Sequence, residues 1–214
     1  MTFTELFRLT FDSLKQNRDR LINTLMLPVA VYVVLELIAA SFANFFLSML
    51  MVFVTILAQT IIAVTIHRIL LLGPDSVPQQ GIRSWSDRET KFALHAIGFA
   101  LMLMAASLFA LIPLFGFIIS LACYVIILLR FSLVFPAIST EIEMSFQDSW
   151  NLTRNRLELM FYTVILIPFI VSLPMIFFSA IPGLGILAAI WSIVTMVVVI
   201  TALSLSYQYI SEQR

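Results

Sequence analysis

Long unbroken runs of apolar residues alternate with short polar stretches along this chain. A helix needs about 20 apolar residues to cross a bilayer, and six runs meet that length: 21–42, 46–70, 91–112, 115–136, 157–180 and 184–209. The pattern predicts an all-α membrane protein whose six transmembrane helices pair as three hairpins. It forms a single polytopic unit: an interfacial helix over 1–20, hairpins over 21–72, 91–136 and 157–209, connectors over 73–90 and 137–156, and a tail over 210–214. The links inside the hairpins are short. The first, SFANFFLS, carries no charge; the second has Pro113 and Gly116, and the third is IPGLG. Pro28, Pro168 and Pro174 each remove a backbone donor and predict bends in the first and fifth spans.

The polar stretches have their own periodicity. At 100° per residue Phe3, Leu6, Phe7, Thr10, Phe11 and Leu14 share one side of a helix, with Glu5, Arg8, Asp12 and Lys15 opposite, which predicts an amphipathic helix lying in the interface. Thr2 with Glu5, Ser86 with Glu89, and Ser145 with Asp148 have capping-box spacing, so both connectors are expected to end in short amphipathic helices.

Composition narrows the class. With 61% hydrophobic and 11% charged residues over 214 positions, the chain lies outside the range of soluble domains. A formal net charge of zero suggests no polyanionic partner such as nucleic acid. Cys123 is the only cysteine, which excludes an intramolecular disulfide and a cysteine-based zinc cluster. The polar start mixes Glu5, Asp12 and Asp19 with basic residues, unlike a cleavable leader, so the run from Leu21 reads as a retained first span.

The placement of charge sets the orientation. Arg8, Lys15, Arg18 and Arg20 precede the first span; Arg68, Arg83, Arg88 and Lys91 flank the first connector; Arg130, Arg154 and Arg156 flank the second; Arg214 ends the chain. The three opposite turns have no Lys or Arg, so the positive-inside rule places both termini and both connectors in the cytoplasm. A weak internal repeat agrees. Asp12-Ser13-Leu14 with Arg18-x-Arg20-Leu21 aligns without gaps on Asp148-Ser149-Trp150 with Arg154-x-Arg156-Leu157, and Ser84-Trp85 with Lys91-Phe92 keeps part of it.

Candidate chemistry is sparse. No phosphate loop, His-Glu-x-x-His or nucleophile elbow occurs, no metal or cofactor is suggested, and the one acid-base set an intramembrane enzyme could draw on is Glu141 with His95 and His67. Glu36 lies about 22 Å along the first span, where a carboxylate is either a proton or cation site or a protonated group bonded to a neighbour such as Thr55. Gln59 reaches mid-membrane, as helix glue or as part of a pathway. Arg130 must snorkel or pair with an acid, and Glu141 is the natural partner if the chain turns back at Pro136. His67 and His95, with Glu89 or Glu141, lack ligand spacing and read as interfacial histidines. Arg18, Arg20, Trp85, Lys91, Trp150, Arg154 and Arg156 are positioned to meet phospholipid headgroups, and would serve equally as topology determinants.

Arg130, Leu133, Pro136 and Glu141, followed by Ser149-Trp150-x-Leu152-Thr153-Arg154, resemble the pattern R-x-x-L-x-x-P-x-x-x-x-E…S-W-x-L-T-[KR]-G of the YciC-like uncharacterised bacterial membrane proteins. A related membrane domain is attached to some glycerophosphoryl diester phosphodiesterases. Asn155 stands where the pattern has Gly. The resemblance implies a bacterial inner-membrane protein of unassigned activity, with Arg130, Pro136, Glu141, Trp150 and Arg154 as a shared motif and no catalytic residues to carry over. Three classes remain: a structural or lipid-interacting membrane component, a small transporter or channel with Glu36 and Gln59 in its pathway, and an intramembrane enzyme. A membrane-protein partner or a second copy is compatible with each.

Overall fold

The computed structural model describes residues 1–40, 44–78, 84–181 and 184–213. All regular structure among them is helical: α1 (Phe3–Gln16), α2 (Arg18–Ala40), α3 (Phe45–Leu72), α4 (Asp87–Leu108), α5 (Gly116–Phe131), α6 (Val134–Ser139), α7 (Phe146–Leu152), α8 (Leu157–Phe161), α9 (Ile167–Ala180) and α10 (Gly185–Glu212). Among the described residues five stretches are long and apolar enough to cross a membrane: Phe46–Leu72, Asp87–Leu111, Gly116–Ser139, Leu157–Ala180 and Leu187–Glu212.

The start of each polar segment follows local chemistry. The three capping boxes form, at Thr2 with Glu5, Ser86 with Glu89 and Ser145 with Asp148. Two of them begin surface helices, α1 and α7. The Ser86 box begins α4 itself, so the first connector does not end in a separate short helix and the second hairpin starts at Asp87 rather than at residue 91.

The repeat has a structural counterpart. Asn17 and Thr153, equivalent positions in the two copies, both end a helix, and each donates its N–H to the carbonyl of the aligned serine, Ser13 or Ser149. Each side chain also bonds that same carbonyl, Asn17 Nδ2 at 3.0 Å and Thr153 Oγ1 at 2.9 Å. The middle unit has no such helix before α4 among the described residues.

Burial is concentrated toward one end of the bundle. Leu6, Ile62, Ile66, Leu133, Val134, Met160 and Ala202 are fully enclosed, whereas Phe46, Leu111, Leu114, Phe115 and Phe117 are exposed. Both termini lie at the enclosed end, where the Met1 ammonium donates to the Tyr209 hydroxyl at 2.9 Å. The centre of the apolar side of α1 packs on protein: Leu6 and Thr10 are enclosed, Phe3 meets the Tyr162 ring at 5.7 Å, and Leu9 and Phe11 remain exposed. Buried hydroxyls are satisfied within their own helices, Thr60, Thr65, Ser139 and Thr201 each bonding the carbonyl four residues back.

Between α8 and α9 the helix widens into a π turn over Tyr162–Leu166, directly ahead of Pro168. Proline lacks the N–H that would bond residue 164, and a wider register accommodates the lost bond. Thr163 in that turn shares a 2.6 Å hydrogen bond with Ser206 of α10, fastening the two helices. Pro28 and Pro174 are both accommodated inside continuous helices.

Candidate functional site

The polar end is organised by a residue in an unfavourable backbone conformation. After α6 the chain stops in a Schellman arrangement: Ile142 N donates to Ala137 O and Glu141 N to Ile138 O, both at 3.0 Å. The position that must turn left-handed is Glu141, with φ +66°, where glycine is the usual occupant. The side chain explains the choice. One carboxylate oxygen accepts from Arg68 Nη1 at 2.9 Å and from Arg88 Nη1 at 2.6 Å, joining the end of α3 to the start of α4.

Both guanidiniums are buried and otherwise occupied. Arg68 also donates to the carbonyls of Ser139 and Ser76, at 3.1 and 3.4 Å. Arg88 donates through Nε and Nη2 to Glu89 Oε1, at 3.0 and 2.7 Å, while the second Glu89 oxygen accepts from the N–H and hydroxyl of Ser86. The Arg88 hydrogen bond, with Arg68 beside it, holds the Glu141 carboxyl below the ordinary carboxylate range. Arg88 and Glu89 are adjacent in sequence, yet both are buried, a sign visible only in the folded chain.

The motif residues between Arg130 and Arg154 therefore serve two fastenings. Pro136 is buried in α6, leading to Glu141 and the arginine pair. Arg130 does not reach Glu141. Its guanidinium carbon stacks 4.7 Å above the Trp150 ring, Ser149 Oγ donates to the Arg130 carbonyl at 2.7 Å, and α5 is thereby tied to α7. Arg154 is exposed beyond α7, and Asn155 needs no left-handed φ, so glycine is not required there.

The residues expected to face headgroups are used unevenly. Arg20 donates to the carbonyls of Pro74 and Val77, both at 2.6 Å, and Arg156 to Gln213. Lys91 pairs with Glu143 at 3.1 Å, and Trp85 donates to Thr90 Oγ1 at 2.8 Å. Arg18 and Arg154 are exposed, and Trp150 lies partly exposed beneath Arg130.

Beside the arginine network is an open cavity of about 880 Å³. Asp87, Lys91 and His95 of α4 form one wall; Ile142, Glu143 and Asp148 form another. Its lining mixes both charges with apolar edges, which suits a ligand that carries both charges on an apolar body. His95 is held there by a 2.8 Å contact of Nδ1 with Lys91 O and lies 5.3 Å from the Phe146 ring. His67 lines a different cavity, so Glu141, His95 and His67 do not converge. Among the described residues no group of three or more His, Cys, Asp or Glu could hold a metal ion.

Glu36 is exposed on α2, with its carboxylate near the Tyr32 hydroxyl one turn earlier. Gln59 Nε2 donates to that same hydroxyl at 3.3 Å, so α2 and α3 share a three-residue polar cluster. Neither Tyr32 nor the arginine network was apparent from spacing. Tyr32 stands one turn before Glu36, and that i,i+4 relation is the only trace in the sequence. Comparison of the chain with protein-family models, with curated proteins and with solved structures gives no match.

Proposed function

We propose that this chain is a six-span protein of a bacterial inner membrane, similar to the YciC-like proteins, that binds phospholipid at its cytoplasmic end and performs no catalysis. In this reading α2, whose one charged residue beyond Arg20 is Glu36, is the sixth span beside the five helices already long enough, and α1 and α7 lie at headgroup level. An exposed belt of Met26, Phe46, Leu111, Phe117 and Phe177 supports it, since such a surface is costly in water and not in lipid. The contacts that gather both termini and both connectors at one end agree with the positive-inside orientation. Single cysteines at Asn44, Phe115 and Gly183, placed in a Cys123→Ser background, should react with an impermeant thiol reagent from outside intact cells. Labelling of any one from the cytoplasmic side only would sink the orientation.

The observation that carries the lipid reading is the mixed-charge cavity beside α4. A zwitterionic headgroup would set its phosphate against Lys91 and its ammonium among Asp87, Glu143 and Asp148, with acyl chains along Ile138, Ile142 and Met144. Lys91→Ala should lower the phospholipid retained through purification about fivefold, from about 1 kcal/mol per basic contact, measured by mass spectrometry. Unchanged lipid content would count against the site.

A transport reading draws on the Tyr32, Gln59 and Glu36 cluster, because transporters place polar groups near the midplane. Flux in proteoliposomes that is lost in Glu36→Ala and Gln59→Ala would favour it over lipid binding.

A further inference from the structure

A second cavity, of about 330 Å³, opens between α3, α4 and α10 within the apolar part of the bundle. Its walls are Ile56, Ala96, Ala100, Phe135, Met196 and Leu203 with Thr60, whose hydroxyl proton goes to the Ile56 carbonyl at 2.8 Å, and two further polar side chains bracket it, Gln59 and His67. They are two turns apart on α3, about 12 Å at 1.5 Å per residue.

His67 is almost fully enclosed, at 1% exposure, and its hydrogen bonding is one-sided. Nδ1 lies 2.8 Å from Ser204 Oγ, and the single Ser204 hydroxyl proton is spent on the Ile200 carbonyl at 2.9 Å. Ser204 therefore accepts, and Nδ1 carries the hydrogen. The lining holds no carboxylate to pair with an imidazolium, so the ring is neutral and Nε2 presents a bare lone pair. That nitrogen has no partner among the described residues. Gln59 spends one N–H on Tyr32, leaving its second N–H and its carbonyl at the other end. An acceptor on the wall of an apolar cavity is satisfied when a ligand brings the proton.

We propose that this cavity binds a neutral lipid alcohol, its hydroxyl donating to His67 Nε2 and its hydrocarbon body lying along Phe135, Ala96 and Ala100. The volume is at the small end of ligand pockets, which run from about 300 to 1,000 Å³, so the hydroxyl and the first part of the chain lie inside and the remainder lies in the bilayer. A carboxylic acid ionised at neutral pH is excluded for want of a cation in the lining, and an ether or ester has no proton to give to His67 Nε2. The inference rests on the membrane reading and concerns a site and a ligand distinct from the headgroup cavity.

The test is photolabelling of the full chain in lipid nanodiscs with a diazirine-bearing hexadecanol and with its methyl ether. The alcohol should label peptides of α3, α4 and α10 about fivefold to tenfold more than the ether, the worth of one hydrogen bond to a buried acceptor. His67→Phe should equalise the two probes. Ala100→Phe, on the open wall, fills the space without touching the polar pair and should abolish labelling at these peptides by both. Equal labelling by alcohol and ether in the native chain, or labelling undiminished in Ala100→Phe, overturns the proposal. Failure of the chain to fractionate with membranes is a separate result and sinks the membrane reading instead.

Discussion

Replacing Glu141 by alanine should destabilise the bundle by about 2 kcal/mol, read as thermal unfolding in detergent. Breaking a buried ion pair costs about 3–5 kcal/mol, and the figure is discounted here because the Glu141 side chain is 62% exposed to screening solvent. The loss falls mainly on the arginines: Arg68 and Arg88 are 11% and 7% exposed and would stay enclosed without the carboxylate they share. A second substitution separates side chain from backbone. Glu141→Gly deletes the same carboxylate but relieves the left-handed φ, worth about 1 kcal/mol, so it should destabilise less than Glu141→Ala. The opposite order would show that the left-handed φ carries no strain, and a Glu141→Ala variant as stable as the native chain would show that the ion network contributes nothing.

The same carboxyl predicts a pH dependence with a definite sign. Its folded pKa is depressed, so the stabilisation is complete above the ordinary glutamate value of 4.5 and is lost as pH falls through the depressed value. The native chain and Glu141→Ala should differ at neutral pH and converge on acidification below the ordinary carboxylate range. A gap that stays constant into acid would remove the linkage.

Gly116→Ala should be at least as damaging, at about 3 kcal/mol, because overpacking against backbone has no cheap relaxation. A Cβ there would lie 2.2 Å from the carbonyl oxygen of Phe109 and 3.1 Å from Ile112 Cβ, in the tight turn between α4 and α5. Leu114 in the same turn has φ +69° and is 91% exposed, so Leu114→Gly relieves backbone strain with almost no packing lost. The two substitutions should therefore shift the unfolding temperature in opposite directions. A neutral Gly116→Ala would mean that this turn has another geometry.

Which parts of this could be read before folding depends on whether partners are near in sequence. The capping boxes at Thr2, Ser86 and Ser145 involve residues three apart and were legible. So was the tight turn at Pro113 and Gly116, since helix breakers act locally. Arg130 was expected to meet Glu141 because both stand at the polar edge and face each other across Pro136. Instead Trp150, twenty residues on, captures the guanidinium face, and Arg68 and Arg88 capture the carboxylate. Periodicity reports which side chains share a face and is silent on which distant face they meet.

By itself the order of residues determined the helical class, the length of the apolar runs and the crowding of basic residues at one set of boundaries, because hydropathy and helix termination are properties of neighbouring residues. Only the tertiary structure decided that one glutamate in a left-handed turn joins two arginines from separate helices, that α1 seats Leu6 and Thr10 against protein, and that His67 keeps a bare nitrogen beside an apolar cavity. Those features arise where segments far apart in the chain close on each other, and burial then sets the cost of every polar atom left unpaired.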